Sequence, residues 1–371
     1  MKTIILNSNI IWTITQFRKD LIKALKNKYT IICVADDDKF SDNSMAILDE
    51  LDVKFIKVKV DRKGINPLKD IFYIYSLYKI YKKIKPDLII HYTIKPNIYG
   101  SLVARILNIK SFAVISGLGS SFLKDNFLSK IIKKLYKFAL QKSNKIFFLN
   151  NDDMKYFVDN NIVQKDQKLL LPGEGVDTDY YSCCDKDRNE KITFLMIARL
   201  LKDKGLYEYI ETVKKVKSKN ENVEFLLAGV LDSDNPTSIQ ARELQAWIDQ
   251  GVIKYLGKTD DIREFLKLCD VIVLPSYREG LSRVLLEACS CEKFIITSDI
   301  AGCKELCEEG KNGFLCKPKD IDSLTKAFSL TISLDKKMFD QMSKKSREMV
   351  INTFSSEIVN NIYLKVIKET I

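Results

Sequence analysis

What most constrains this chain is an alternation that occurs twice. Short apolar runs rich in β-branched residues are separated by longer stretches of helical period. In the first half the runs fall at Thr3–Leu6, Thr30–Val34, Lys54–Val58, Leu88–His91, Ser111–Ile115 and Lys145–Leu149. Phe17–Lys26 and Ile98–Leu107 are examples of the helical stretches between them. In the second half the runs are Ile192–Ile197, Val223–Ala228, Val252–Leu256, Val271–Leu274 and Phe294–Thr297. A strand that is apolar along its length must be covered on both faces. Parallel strands between helix layers meet that condition. The expected class is α/β, with two doubly wound parallel sheets.

A polar stretch without period, Pro172–Glu190, separates the two series. The boundary is expected near Leu171–Asp177, giving a first domain over 1–172 and a second over 173–354. A chain of 371 residues suits two domains at roughly 150 residues each. The amphipathic tail, 355–371, is expected to pack back on the first domain. Two such domains facing one another would leave a cleft at the carboxyl ends of their strands, where open α/β sheets bind ligands.

Composition narrows the class further. With 14 Gly and 7 Pro, the chain is neither fibrous nor disordered. The apolar start of the chain is closed by no small-residue cleavage site, so the nine Cys are expected to be reduced thiols in a cytoplasmic protein. A single His and no recurring C-x-x-C pair argue against a metal site. The net charge of +11 suits phosphorylated substrates, an anionic bilayer or nucleic acid. The chain carries no recognition-helix, RRM-like or zinc pattern, so no nucleic-acid partner is expected. No apolar run approaches the ~20 residues of a membrane span, so any membrane association should be peripheral.

Two segments carry chemistry. In Val271–Ser290 (VIVLPSYREGLSRVLLEACS) a strand ends at Leu274, Glu279 sits in the following loop, a helix is expected from near Leu281, and Glu287 lies inside it. The unpaired N–H groups and the dipole of a helix start suit an anion such as a diphosphate. A carboxylate there must serve something else, such as hydroxyl groups. The plain alternative is a Glu that favours the helix start and a second Glu in solvent. In Ile192–Ile210 a strand ends at Ala198, then Arg199, Lys204 and Gly205 precede a helix. Two cations at a strand's carboxyl end suit two phosphates; a charged surface loop is the alternative. The acidic run Asp36–Asp38 is read as a solvated loop.

Together these segments resemble the retaining family 4 glycosyltransferases, which have the GT-B fold of two Rossmann-like domains facing across a cleft. The resemblance rests on Arg199, Lys204 and Gly205 in ARLLKDKG, on the Pro275-Ser276 pair, and on the E-x7-E pattern of Glu279 and Glu287. Asp299, Gly302 and Glu305 in SDIAGCKE and Gly313 in NGFL extend it. The resemblance implies that Arg199 and Lys204 bind the donor diphosphate, that Glu279 contacts the transferred sugar, and that Glu287 holds the ribose hydroxyls. Glu279, Arg199 and Lys204 become the catalytic candidates. Backbone groups of Gly280, Leu281 and Ser282 are expected to face the sugar and diphosphate. Neither a metal nor a cofactor is implied.

The first domain is similar to a narrower group. HYTIKPNIYGSLVARI (His91–Ile106) and SGLGSSF (Ser116–Phe122) resemble enzymes of lipid-linked bacterial glycans, including undecaprenyl-diphosphate N-acetylgalactosaminyltransferases of protein glycosylation and O-antigen or capsule enzymes. That implies a UDP-sugar donor, with N-acetylgalactosamine the first choice of sugar. It also implies a polyprenyl-diphosphate-linked saccharide acceptor and a place on the inner face of the plasma membrane. Arg62, Asn66, Lys95, Asn97 and Gly117 are the acceptor-binding candidates. The chain departs from the group in two ways. The segment after the first strand, Asn7–Ile11, is expected to be a loop without Gly, and the family's histidine position falls nearer Ile94 than His91. His91 is therefore expected to be structural.

Leu68–Lys85 and Lys124–Lys145 interleave Lys with apolar and aromatic residues at helical spacing. Each suits a helix on an anionic membrane surface, or equally a core helix with a solvated Lys face. A UDP-sugar epimerase of the same architecture is the alternative activity. It would need positioned acid and base side chains, and the lone His has no evident carboxylate partner.

Overall fold

A computed structural model describes residues 1–37, 41–62, 66–118, 127–182, 191–232 and 235–371. Asp38, Cys183-Cys184 and most of the SGLGSSF segment lie outside the described residues. The chain forms two units, one of Met1–Gly175 with Ser356–Ile371 and one of Val176–Ser355.

The first unit is a seven-stranded parallel sheet in the order β3-β2-β1-β4-β5-β6-β7. Its strands are β1 (Thr3–Ile10), β2 (Thr30–Asp36), β3 (Lys54–Lys57), β4 (Leu88–Tyr92), β5 (Lys110–Ile115), β6 (Lys145–Phe148) and β7 (Lys168–Leu170). Its helices are α1 (Ile11–Lys26), α2 (Ser41–Glu50), α3 (Pro67–Ile84), α4 (Ser101–Ile106), α5 (Phe127–Leu140), α6 (Asn151–Asp159) and a C-terminal helix, Ser356–Thr370. The order runs one way from β1 to β3, then reverses to β4. Right-handed crossovers place α1 and α2 on one face and α3 to α6 on the other.

Helix α3 shows how sequence sets an element. Asn66 caps it, accepting from Leu68 N at 3.0 Å, and Pro67 takes the first helical position. Tyr73, Leu77 and Tyr81 then fall on the buried side, against Ile5, Ile32 and Ile89. The C-terminal helix buries Tyr363, whose ring lies 5.0 Å from that of Phe147 on β6. On the same face Arg18 of α1 stacks 4.1 Å from the Tyr92 ring, donates to Thr13 O at 2.7 Å and pairs with Glu174.

Two expectations for this unit need correction, and one strand has no counterpart among them. Asn7–Ile11 is not a loop: β1 continues to Ile10, with irregular register after Asn7, and α1 starts at Ile11. Polar side chains disguise a strand whose Asn7 and Ser8 are fully buried. The helix expected over Ile98–Leu107 is a π-turn, Pro96–Gly100, leading into the short α4, where Pro96 cannot supply an α-helical N–H. The edge strand β7 is three residues long and carries too little apolar signal to stand out.

His91 is fully buried on β4. Its Nδ1 lies 3.4 Å from Asn7 Nδ2, and a Cβ on Gly100 would come within 2.5 Å of the ring. Burial pushes the imidazole down to about 3. The unfolded chain, with an ordinary value of about 6.5, takes up a proton that the folded chain refuses. Stability should therefore fall as pH drops below that value, by about 2 kcal/mol between pH 7 and 5 from this group. Urea unfolding of wild type and His91→Phe at both pH values checks this. The variant should lose that part of the slope, and an unchanged slope refutes the assignment.

The second unit is a six-stranded parallel sheet in the order β10-β9-β8-β11-β12-β13. Its strands are β8 (Ile192–Ile197), β9 (Val223–Ala228), β10 (Lys254–Tyr255), β11 (Val271–Leu274), β12 (Phe294–Ser298) and β13 (Gly313–Cys316). The helices are α7 (Leu206–Lys217), α8 (Ala241–Asp249), α9 (Ile262–Leu266), α10 (Arg283–Ser290), α11 (Ile321–Ser333) and α12 (Lys336–Met349). Stacked Phe194, Phe225 and Phe328 anchor the core on one face, with the Phe194 and Phe328 centroids 4.6 Å apart. The run Val252–Leu256 yields only the two-residue β10, and β13 adds an edge strand. The seven described cysteines are buried and form no disulfide with one another.

Candidate active site

The strand order of the second unit reverses between β8 and β11. In a parallel sheet the crossovers diverge there and leave room at the carboxyl ends. The chain leaves β8 into Arg199 and passes a 3-10 turn, Lys202–Lys204, before Gly205 and α7. It leaves β11 into Pro275 and the loop that carries Glu279.

Backbone contacts fix these two loops to each other. Gly205 has φ +75°, and a Cβ there would lie 2.0 Å from the carbonyl oxygen of Pro275. Only glycine fits this left-handed conformation and close approach. Tyr277 N donates to Asp203 O at 2.9 Å, and the Ser276 hydroxyl donates to the same oxygen at 3.3 Å. The Tyr277 hydroxyl donates to Glu208 Oε1 of α7 at 2.7 Å. Lys204 Nζ thereby comes 2.5 Å from Glu279 Oε1, with the side chains 16% and 15% exposed. A half-sequestered ion pair of this kind is screened less than a surface one.

A third loop completes the floor. Gly302 follows β12 with φ +83°, and a Cβ there would lie 2.6 Å from the Glu279 carbonyl carbon and oxygen. Its carbonyl accepts from Ser282 N at 2.8 Å, and its own N–H donates to Glu305 Oε2 at 2.7 Å. Ser282 caps α10, its hydroxyl accepting from Leu285 N at 3.3 Å. Asn312, buried ahead of Gly313, ties the next turn by donating to Leu306 O at 2.9 Å. Glu287 lies one turn into α10, its side chain 10% exposed, and accepts from Arg283 Nε at 2.7 Å. The guanidinium of Arg283 stands 5.8 Å from the Tyr181 ring. Burial, with Glu287 beside it, pushes the Tyr181 hydroxyl up.

Lys204, Glu279, Gly280, Leu281, Ser282 and Glu287 thus sit on adjoining loops and one helix start. Arg199 lies at the same strand edge, but its side chain is 60% exposed and reaches Asp232 at 3.6 Å. One expectation is corrected. The Ser282 N–H does not face a diphosphate, because the Gly302 carbonyl holds it; the helix starts at Arg283, near Leu281 as expected, with Ser282 as its cap. Arg283 is a partner of Glu287 that sequence reasoning misses, although its spacing of four is the spacing of a helical ion pair.

In the first unit the acceptor candidates do not form one cluster of contacts. Asn97 is 1% exposed and donates to Val114 O at 2.8 Å, so its amide braces β5. Lys95 pairs with Asp70 Oδ1 at 2.5 Å, and Tyr99 donates to the other oxygen at 2.8 Å. The Asn66 side chain caps α3. Arg62 is exposed, and Gly117, with φ 140°, follows β5. Asp36 does not hang in solvent either: it ends β2 and accepts from Val60 N at 3.0 Å. Among the described residues no group of three or more His, Cys, Asp or Glu could hold a metal ion. No described helix is long and apolar enough to cross a membrane.

Comparison with known proteins adds the lineage of this arrangement. Residues 185–349 match the family described as glycosyl transferases group 1, and residues 4–150 match the glycosyl transferase 4-like family. The N,N'-diacetylbacillosaminyl-diphospho-undecaprenol alpha-1,3-N-acetylgalactosaminyltransferase of Campylobacter jejuni is 30% identical, over 95% of this chain and 95% of its own. The UDP-Gal:alpha-D-GlcNAc-diphosphoundecaprenol alpha-1,3-galactosyltransferase of Escherichia coli is 28% identical, over 79% of this chain and 78% of its own. Among solved structures, a glycosyltransferase from Rickettsia africae superposes with a TM-score of 0.78 at 21% identity, covering 100% of this chain and 98% of that one. Anabaena HepE in complex with UDP superposes with a TM-score of 0.79 at 16% identity, covering 100% of both chains.

Proposed function

The chain belongs to the group 1 glycosyl transferases, with the GT-B fold, and from that premise we propose that it moves N-acetylgalactosamine from UDP to an undecaprenyl-diphosphate-linked saccharide, retaining the anomeric configuration. The observation that carries the reading is the Lys204–Glu279 contact at the reversal of the second sheet. A nucleoside diphosphate brings two phosphates that compete with Glu279 for the Lys204 ammonium. Glu279, released, then accepts hydrogen bonds from the hydroxyls of the sugar. Glu287, oriented by Arg283, accepts from the ribose hydroxyls. Arg199 swings from Asp232 to the diphosphate.

In the reaction the bond from the anomeric carbon to the diphosphate oxygen breaks, and the acceptor hydroxyl oxygen bonds to the same face of that carbon. The acceptor proton passes to the departing phosphate oxygen, so no protein base is needed. Stabilisation of the leaving diphosphate by fixed positive groups is the main catalytic contribution. Neither a metal nor a cofactor takes part. The acceptor lies on the first unit, and the protein works at the anionic cytoplasmic face of a membrane. Two relatives that act on diphospho-undecaprenol substrates support this choice of acceptor.

A screen of radiolabelled nucleotide sugars against a lipid-linked acceptor, with and without EDTA, tests the proposal. The expected result is transfer from UDP-N-acetylgalactosamine, an α-linked product by NMR, and no loss with EDTA. An inverted product, or an absolute metal requirement, overturns the mechanism. Transfer only from a different nucleotide sugar overturns the donor assignment.

A further inference from the structure

The helix layer that covers one face of the first sheet is built unlike the other. Along the first two turns of α3, Leu68, Ile71, Phe72 and Tyr75 are all exposed, Phe72 at 70%. Their spacing of three and four residues makes one stripe. Tyr73, Leu77 and Tyr81 occupy the opposite, buried side of the helix. Helix α3 packs on α4, and α4 packs on α5. The outer side of α5 carries a second exposed stripe, Ile131, Leu135 and Phe138, and Ile106 at the end of α4 is 61% exposed. The helices on the other face of the sheet, α1, α2 and the C-terminal helix, expose no large apolar side chain among the described residues.

Charge follows the same division. There are four Lys on α3, one Arg on α4 and four Lys on α5. The one carboxylate on these three helices, Asp70, is buried against Lys95 and Tyr99. Several of the cations lie beside the apolar side chains: Lys79 Nζ is 4.3 Å from the Tyr75 ring centroid and Arg105 is 4.9 Å from that of Phe138. Such groups can hold headgroups while their stems and the neighbouring rings enter the acyl region. A second copy of the chain is the poorer occupant, because two faces of the same sign would meet.

We infer that the α3–α4–α5 face is a docking surface for an anionic phospholipid bilayer, with the α3 stripe as the inserted part. The inference rests on the reading that the acceptor is lipid-linked, but its test needs no acceptor. Full-length protein is sedimented with vesicles of phosphatidylglycerol and phosphatidylcholine, or of phosphatidylcholine alone. The expected result is salt-sensitive binding to the first only. I71D/F72D and K134E/K137E should each weaken it roughly tenfold or more. K19E/K23E, on α1, should leave it unchanged. Circular dichroism and turnover on a short-chain, water-soluble acceptor should match wild type in all three variants. Equal loss in K19E/K23E, full binding by I71D/F72D, or a wild-type dimer that I71D/F72D turns into a monomer would each overturn the docking face. Failure of transfer to every acceptor would instead overturn the proposed function, whatever the vesicles show.

Discussion

Lys204→Ala should lower turnover by roughly 10²- to 10³-fold at saturating donor, with the fold intact. The ammonium is held in place before any ligand arrives: Gly205 and Asp203 fix its loop to Pro275 and Tyr277, and Glu279 holds the charge itself. A fixed cation aimed at charge that grows in the transition state contributes most of its stabilisation there, about 3 to 4 kcal/mol in comparable sites. Glu279→Ala should cost a similar factor, through the lost hold on the sugar. The two side chains touch, so the double variant should lose much less than the product of the single losses. Initial rates for all three variants, with circular dichroism as the fold control, decide the matter. Near-normal turnover in either single variant would remove the site from this position.

Gly302→Ala should both destabilise the second unit, by about 2 to 4 kcal/mol, and abolish most activity. Its φ of +83° is strained for any side chain, and the added methyl would meet the Glu279 carbonyl at 2.6 Å. Backbone cannot yield as a flexible side chain can. Either the Glu279 loop moves, or the hydrogen bond from Ser282 to the Gly302 carbonyl breaks and frees the start of α10. A lowered urea midpoint together with lost turnover is the expected result. A variant with wild-type stability and rate would show that this contact does not matter.

The sheets are legible in the sequence because a strand buried on both faces must be apolar throughout, and Ile192–Ile197, Val223–Ala228 and Val271–Leu274 occur where expected. The edges are not. β7 and β13 are three and four residues long, and an edge strand needs less apolar cover. Asn7–Ile10 misleads because polarity usually marks a loop, whereas here Asn7 is buried against Tyr81. At the site, Arg199, Lys204, Glu279 and Glu287 are visible through their order along the chain. The contacts that set their geometry are not: the Gly205 to Pro275 and Gly302 to Glu279 approaches join residues far apart in sequence through backbone atoms, which leave no mark on side-chain pattern. Asn97 shows the opposite error. The resemblance makes it an acceptor candidate, yet its amide donates to the Val114 carbonyl inside the fold.

The placement of the helix Ser356–Thr370 in the first unit bears on how the polypeptide matures. During synthesis, every residue of the second unit has been made before the first unit receives its last 15-residue helix. Until then the nascent first unit lacks the cover that Val359, Tyr363, Val366 and Ile367 provide, and Phe147 lacks the ring of Tyr363 beside it. The early half of the product therefore completes its cover last, and premature termination near Ser355 would leave a finished second unit attached to a protease-sensitive one.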